Sequence, residues 1–235
     1  MGLLRITSIN KPKGWSSFDV VRFVKQYFQE KKVGHLGTLD PMATGVLPVF
    51  LGRATRLIPL FNNLDKTYRA ICKLGVSTDT FDAEGLVTNT NDTYHLKPND
   101  VKNAIFSFKG KQEQLTPSFS ASKINGVPAY KLARKGLKVP QKFRNVIFYE
   151  LIVESIKMPF VQFRVKCSKG TYIRTLANDI GLLLEVGAHL TYLKRLACGN
   201  DFFLDNSISV GELKKIENDK DVPWISPIEL LSHLN

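Results

Sequence analysis

The chain has 235 residues, 43% of them hydrophobic and 23% charged, with a formal net charge of +12. That balance excludes wholesale disorder and supports a soluble globular protein with a sizeable core. No apolar run approaches the roughly 18 residues of a membrane span, and Cys72, Cys167 and Cys198 stand too far apart for a disulfide framework or a Cys-x-x-Cys metal site.

From the N-terminus, LRITSIN predicts a short strand and KPKGWSS a turn. The first apolar run is too short for a signal peptide, and Ile6 breaks the myristoylation pattern, so a cytoplasmic location is expected. Ser16 and Asp19 resemble a capping box, with Asp in place of Glu or Gln, opening a helix over SFDVVRFVKQYFQE. Val20, Val21, Val24 and Phe28 share one face of that helix. GHLGTLDPMATGVLP follows, a loop rich in Gly and Pro with one carboxylate, Asp40. VFLGRATRLIPLF predicts a strand and a short helix, KTYRAICKLGV a second strand, and STDTFDAEGLV an acidic, turn-rich loop. Pro98 opens a helix in KPNDVKNAIFSFKG.

Residues 109–144 predict a strand, a turn, a short helix and an exposed loop. NVIFYELIVESI and FVQFRVKCS are strong β segments spaced as a hairpin. KGTYIRTLANDIGLLLEVG predicts an amphipathic helix with Ile173, Leu176, Ala177, Ile180, Leu183 and Leu184 as its apolar stripe and Gly187 just past its end. AHLTYLKRLACGNDFF returns as a strand. Two capping boxes close the chain, Ser209 with Glu212 and Ser226 with Glu229, the second with Pro227 at its first helical position. Strands and helices mix without βαβ alternation, which predicts an α+β fold with a largely antiparallel mixed sheet flanked by helices. We expect a single domain over 1–235 with an insertion at about 109–144.

Charge separates these segments further. Residues 1–60 carry nine Lys/Arg against three Asp/Glu, residues 109–144 nine against one, and residues 201–235 three against seven. Basic blocks of this kind point to a polyanion partner, most simply a nucleic acid.

The common catalytic templates are missing: no P-loop, no G-x-G-x-x-G, no nucleophile elbow and no H-E-x-x-H. Asp40 has two local readings. It caps a turn ahead of Pro41, or it is a nucleophile or base on a rigid loop, held ionised by a cation. A second acid from elsewhere, such as Asp79 or Asp179, would suit a two-carboxylate glycosidase instead. By themselves Tyr68 is a half-buried strand aromatic and Arg174 one partner of a surface ion pair on a helix, at the edge of its apolar stripe. Gly34, Gly37 and Gly45 would let a bulky substrate approach the backbone.

GHLGTLDPMATGVLPVFLGRATRL resembles the signature of the TruB family of tRNA pseudouridine synthases. So do LRITSINKPKGWSSFDVV, DKTYRAICKLGVSTDTFDAEG, QLTPSFSASKINGVPAYKLARKG, CSKGTYIRTLANDIG and GAHLTYLKRLACGNDF, in the family's order from about Ile6 to about Phe202. The resemblance implies the pseudouridine synthase fold with a basic RNA-gripping insertion. It also implies cofactor-free, metal-free isomerisation of the uridine at position 55, in the T loop of tRNA. Asp40 matches the essential aspartate, which attacks C6 of the base or C1′ of the ribose. Arg174 matches the arginine that pairs with that aspartate, and Tyr68 the tyrosine that stacks on the target base. Leu193 matches an apolar residue near the base, and His35 a histidine that wedges into the space a flipped base leaves. Lys11 and Pro12 match a pair supporting the active-site loop. Lys123, Lys131, Arg134 and Lys135 lie in the insertion and would meet phosphates. Many family members continue into a C-terminal PUA domain, so a short, monomeric form acting on the T arm is expected here.

Overall fold

The computed structural model describes residues 4–233 apart from Ala121, Asn125, Arg134, Lys138 and Gln141. Its elements in chain order begin with β1 (Arg5–Lys11), α1 (Ser17–Tyr27), β2 (Val33–His35), β3 (Thr44–Leu51) and a 3-10 segment over Gly52–Phe61. β4 (Lys66–Leu74), β5 (Val76–Thr78), β6 (Val87–Thr90), α2 (Pro98–Ser107) and β7 (Gly110–Leu115) follow. Then come β8 (Lys123–Ile124), β9 (Val127–Pro128), α3 (Ala129–Ala133), β10 (Phe143–Lys157), β11 (Phe160–Cys167) and α4 (Ile173–Leu183). The chain closes with β12 (Ala188–Cys198), β13 (Phe202–Phe203), β14 (Ile208–Ser209), α5 (Val210–Leu213) and α6 (Pro227–Ser232). The expected α+β class, with a mixed and mainly antiparallel sheet flanked by helices, is what these elements form.

The chain divides into two compact units, one of residues 1–68 with 194–235 and one of residues 69–193. In the first, the strand order is β14-β1-β3-β12, with β2 on β3 and β13 on β12. β1 and β3 pair antiparallel from Arg5↔Leu51 to Lys11↔Gly45, and β3 meets β12 in parallel at Lys194↔Thr44 and Arg195↔Gly45. β3 is buried on both faces, which is why it reads as a near-continuous apolar run. Val46 and Phe50 enter a cluster with Ile6, Leu36, Phe61 and Phe202. Leu47, Val49 and Leu51 enter another with Ile9, Val20 and Val24, the last two from the predicted face of α1. The Ser16–Asp19 capping box forms in both directions.

In the second unit, β10 and β11 make the predicted antiparallel hairpin, with register shifts between Phe148 and Glu150 and between Val153 and Ser155. β7 pairs with β10 on its other side. β11 alternates cleanly, burying Val161, Phe163, Val165 and Cys167. Two features of α4 depart from the periodicity. The helix stops at Leu183, and the residue that turns left-handed behind it is Glu185, with φ 59°. Gly187 serves a different need: at φ +74° it lies against Ser77, whose Oγ a Cβ would overlap. The buried stripe is Ile173, Leu176, Ala177 and Ile180, extended by Arg174 where the sequence suggested Leu183, which is 54% exposed.

Candidate active site

In the first unit, the loop from Leu36 to Ala43 carries Asp40, which is half-buried. Its backbone is held residue by residue. Leu36 N–H donates to Pro48 O at 2.9 Å and Ala43 N–H to Asp40 O at 3.0 Å. Leu39 N–H donates to Ser17 Oγ at 2.8 Å, and that hydroxyl donates back to Leu39 O at 3.2 Å. Gly14 N–H reaches Pro41 O at 2.8 Å. Lys11 is fully buried, and its ammonium donates to three carbonyls: Pro12 at 3.1 Å, Pro41 at 3.3 Å, and Trp15. A buried ammonium without such acceptors would be prohibitively costly. The Lys11 ammonium thus ties Pro12 O to Pro41 O, beside Asp40.

The loop glycines correct one expectation. They face protein. A Cβ on Gly34 would lie 2.6 Å from Ile58 Cδ1, one on Gly37 would lie 3.2 Å from an Arg195 guanidinium nitrogen, and one on Gly45 would overlap the Arg195 carbonyl. Gly37 and Gly45 also hold φ of +70° and +101°. Close packing of this unit, rather than room for substrate, accounts for all three.

His35 ends β2, paired with Val49 of β3. Its Nδ1 is buried without a hydrogen-bond partner among the described residues. Burial, reinforced by the positive charge of Arg195, lowers its pKa from 6.5 to about 4, so the ring is neutral at physiological pH. The folded pKa lies below the unfolded one, so this residue's contribution is complete above pH 6.5 and is lost as pH falls toward 4. His35→Gln should therefore flatten the decline of Tm between those two pH values, measured by thermal melts across the interval. An unchanged slope would show that His35 is not the group responsible.

Tyr68 lies in β4, buried on the side it shares with Lys66. Lys66 is itself buried and donates to Leu64 O at 2.6 Å.

In the second unit, Arg174 sits in the first turn of α4 and is only 4% exposed. The surface ion pair that its spacing suggested is therefore replaced by a buried one, with Asp82 Oδ2 at 3.7 Å. Arg174 also donates to Thr80 O at 3.3 Å and to Phe119 O. Asp82 is fixed in turn: Thr80 Oγ1 donates to its carboxylate at 2.6 Å and Glu84 N–H at 3.0 Å. Ala83 N–H and Leu190 O close at 2.9 Å, pinning this turn to β12. Gln114 clamps the residue before the helix, accepting from Tyr172 N–H at 2.8 Å and donating to Tyr172 O at 3.0 Å. The helix start, and with it Arg174, is thereby set against β7.

Leu193 is buried in β12. Lys131 and Lys135 are exposed on and after α3. Lys123 falls in β8, and Arg134 lies outside the described residues. Sequence reasoning missed Asp82, Ser17 and Arg195. Asp82 looked like any acid in a polar loop, and Ser17 like a second helix-start serine. Arg195 did carry a signal: with Lys194 it forms a pair of cations set between Leu193 and Leu196 within one strand.

Residues 25–173 match the TruB family pseudouridylate synthase (N terminal domain). The chain belongs to the TruB family. It is 49% identical over 230 residues to the tRNA pseudouridine synthase B of Geobacter sulfurreducens, covering 97% of this chain and 75% of that protein. With that of Clostridium kluyveri it shares 46% over 224 residues, covering 95% and 76%. Among solved structures, a Cbf5-Nop10-Gar1 complex contains a chain 30% identical, with a TM-score of 0.68 over 88% of this TruB-family chain and 52% of that one. An H/ACA RNP bound to a substrate RNA containing 2'-deoxyuridine contains another, 29% identical with a TM-score of 0.66, over 88% and 51%. The family member described here thus spans about half the length of those solved chains.

Proposed function

We propose that this chain isomerises uridine to pseudouridine at position 55, in the T loop of tRNA. Membership of the TruB family supports the reaction, and relatives named tRNA pseudouridine synthase B support tRNA as the substrate. The observation that carries the reading is the setting of Asp40. It is a carboxylate on a loop braced by a buried lysine, in a chain that matches the family across that loop.

In this reading Asp40 is the nucleophile, adding to C6 of the base or C1′ of the ribose. The C1′–N1 bond breaks, the base turns, and a C1′–C5 bond forms. C5 gives up its proton and N1 gains one, so substrate and product are isomers and the reaction consumes no oxidant, reductant or energy source. A carboxylate suits the task because it must bond covalently and then leave. Tyr68 stacks on the target base and helps to take the C5 proton, and Arg174 supplies the cation of the reaction. Leu193 packs near the base. His35, neutral and planar, fills the space that the flipped base vacates, and a neutral wedge enters a stacked loop without a charge to desolvate. Lys123, Lys131, Arg134 and Lys135 meet the phosphates of the T arm. We further propose one catalytic domain that works as a cytoplasmic monomer.

Unmodified tRNA incubated with the protein and mapped chemically for pseudouridine tests this. Pseudouridine at position 55 is expected. Unchanged uridine would leave a binding protein, an abasic product would mean a base-excising glycosylase, and either would sink the proposal.

A further inference from the structure

Arg195 is the largest fully buried side chain in the described structure, and no step above uses it. Its guanidinium lies inside the first unit, where its Nε donates to Val46 O and an Nη to Gly37 O at 3.0 Å. These two carbonyls bracket Asp40, one three residues before it and the other six residues after. No carboxylate pairs with Arg195 among the described residues, so the two carbonyls take its charge-assisted hydrogen bonds. Burying a guanidinium on backbone acceptors is expensive. A surface ion pair or an apolar side chain would serve mere stability better.

The surroundings are shaped to this one side chain. Gly37 leaves the space for its terminal nitrogen, and Gly45 lets the Arg195 backbone approach β3 at the Arg195↔Gly45 register. Lys11 fastens the opposite side of the same loop at Pro41 O. A lysine is a point donor on a flexible stem and gathers its acceptors around one ammonium, as Lys11 does with Pro12, Trp15 and Pro41. The arginine fork is rigid and planar, and it holds two carbonyls at a fixed separation.

We propose that Arg195 is a positioning residue for Asp40: its buried fork sets the spacing of the loop's two arms and so the direction of the carboxylate. The inference rests on Asp40 being the nucleophile. Nucleophilic attack tolerates little displacement, since about 1 Å of misplacement can cost a hundredfold in rate. Arg195 touches no reacting atom in this account and acts through the backbone.

Arg195→Lys is the test, because it keeps the charge and the buried stem while losing the fork. We expect a single-turnover rate on tRNA reduced about 10- to 100-fold, with KM changed less than about threefold. Amide hydrogen exchange should rise within residues 36–43 while the rest of the unit stays protected. Gly37→Ala, whose Cβ crowds the guanidinium and strains a φ of +70°, should reproduce the pattern. A folded Arg195→Lys protein with a wild-type rate overturns the proposal, whether or not its loop exchanges faster. So does a rate loss that only follows global unfolding, seen as uniform exchange in both variants. Failure of the parent reading would look different: Asp40→Asn would stay active while Arg195→Lys still loosened the loop.

Discussion

Asp40→Asn should abolish turnover while leaving the fold intact. The amide has nearly the same shape, and the hydrogen bond from Ala43 N–H to the Asp40 carbonyl is made by the backbone. The bracing of Lys11 on Pro41 and Ser17 on Leu39 is also backbone-directed and survives the change. The nucleophile is lost, because a carboxamide cannot form and release the covalent bond. Removing a nucleophile elsewhere costs on the order of a millionfold, and a loss of at least about ten-thousandfold is expected here. Tritium release from tRNA labelled at C5 of uridine measures it, with circular dichroism and thermal melts confirming the fold. Persistence of more than about one per cent of the wild-type rate would remove Asp40 from the chemistry. Asp40→Glu adds one methylene and should also lose about a hundredfold, since it displaces the attacking oxygen by roughly a bond length.

Arg174→Ala should unfold the protein at a distinctly lower temperature as well as inactivate it. The truncation leaves the buried carboxylate of Asp82 without its cation and strips donors from Thr80 O and Phe119 O. Breaking a buried pair from one side costs about 3–5 kcal/mol. In a chain of this size that is a fall in Tm of roughly 6–20 °C. Arg174→Lys keeps a charge but reaches fewer of these acceptors, so a smaller fall in Tm and a rate loss of about a hundredfold are expected. The double variant Arg174→Met with Asp82→Leu separates the two roles. Removing both charges should recover much of the stability while leaving the enzyme inactive. Recovery of activity along with stability would show that Arg174 is structural alone. A Tm within about 2 °C of wild type in Arg174→Ala would show that this network does not hold the α4 start.

Much of the architecture was legible from local pattern. The Ser16–Asp19 box, the apolar face of α1 and the β10–β11 hairpin all follow from short-range periodicity and turn chemistry, and each forms as expected. Where pattern misled, the cause was a partner distant in sequence. Gly187 looked like a helix stop, but Ser77, more than a hundred positions earlier, claims the space of its missing side chain. Arg174 looked exposed because helical spacing set it at the stripe's margin, and nothing local announced that Asp82, Thr80 and Phe119 would close over it.

The sequence by itself determined the element types, the α+β class, the basic blocks and the candidacy of Asp40, since each depends on residues within a turn or two of one another or on an ordered set of motifs. Only the tertiary structure decided how the Asp40 loop is held and why its glycines are glycines. For Gly37 and Gly45 the answer rests on Arg195, about 150 positions away, brought to them by the parallel pairing of β12 with β3. Parallel neighbours need a long crossover between them, so the contacts they create carry no short-range trace in the sequence.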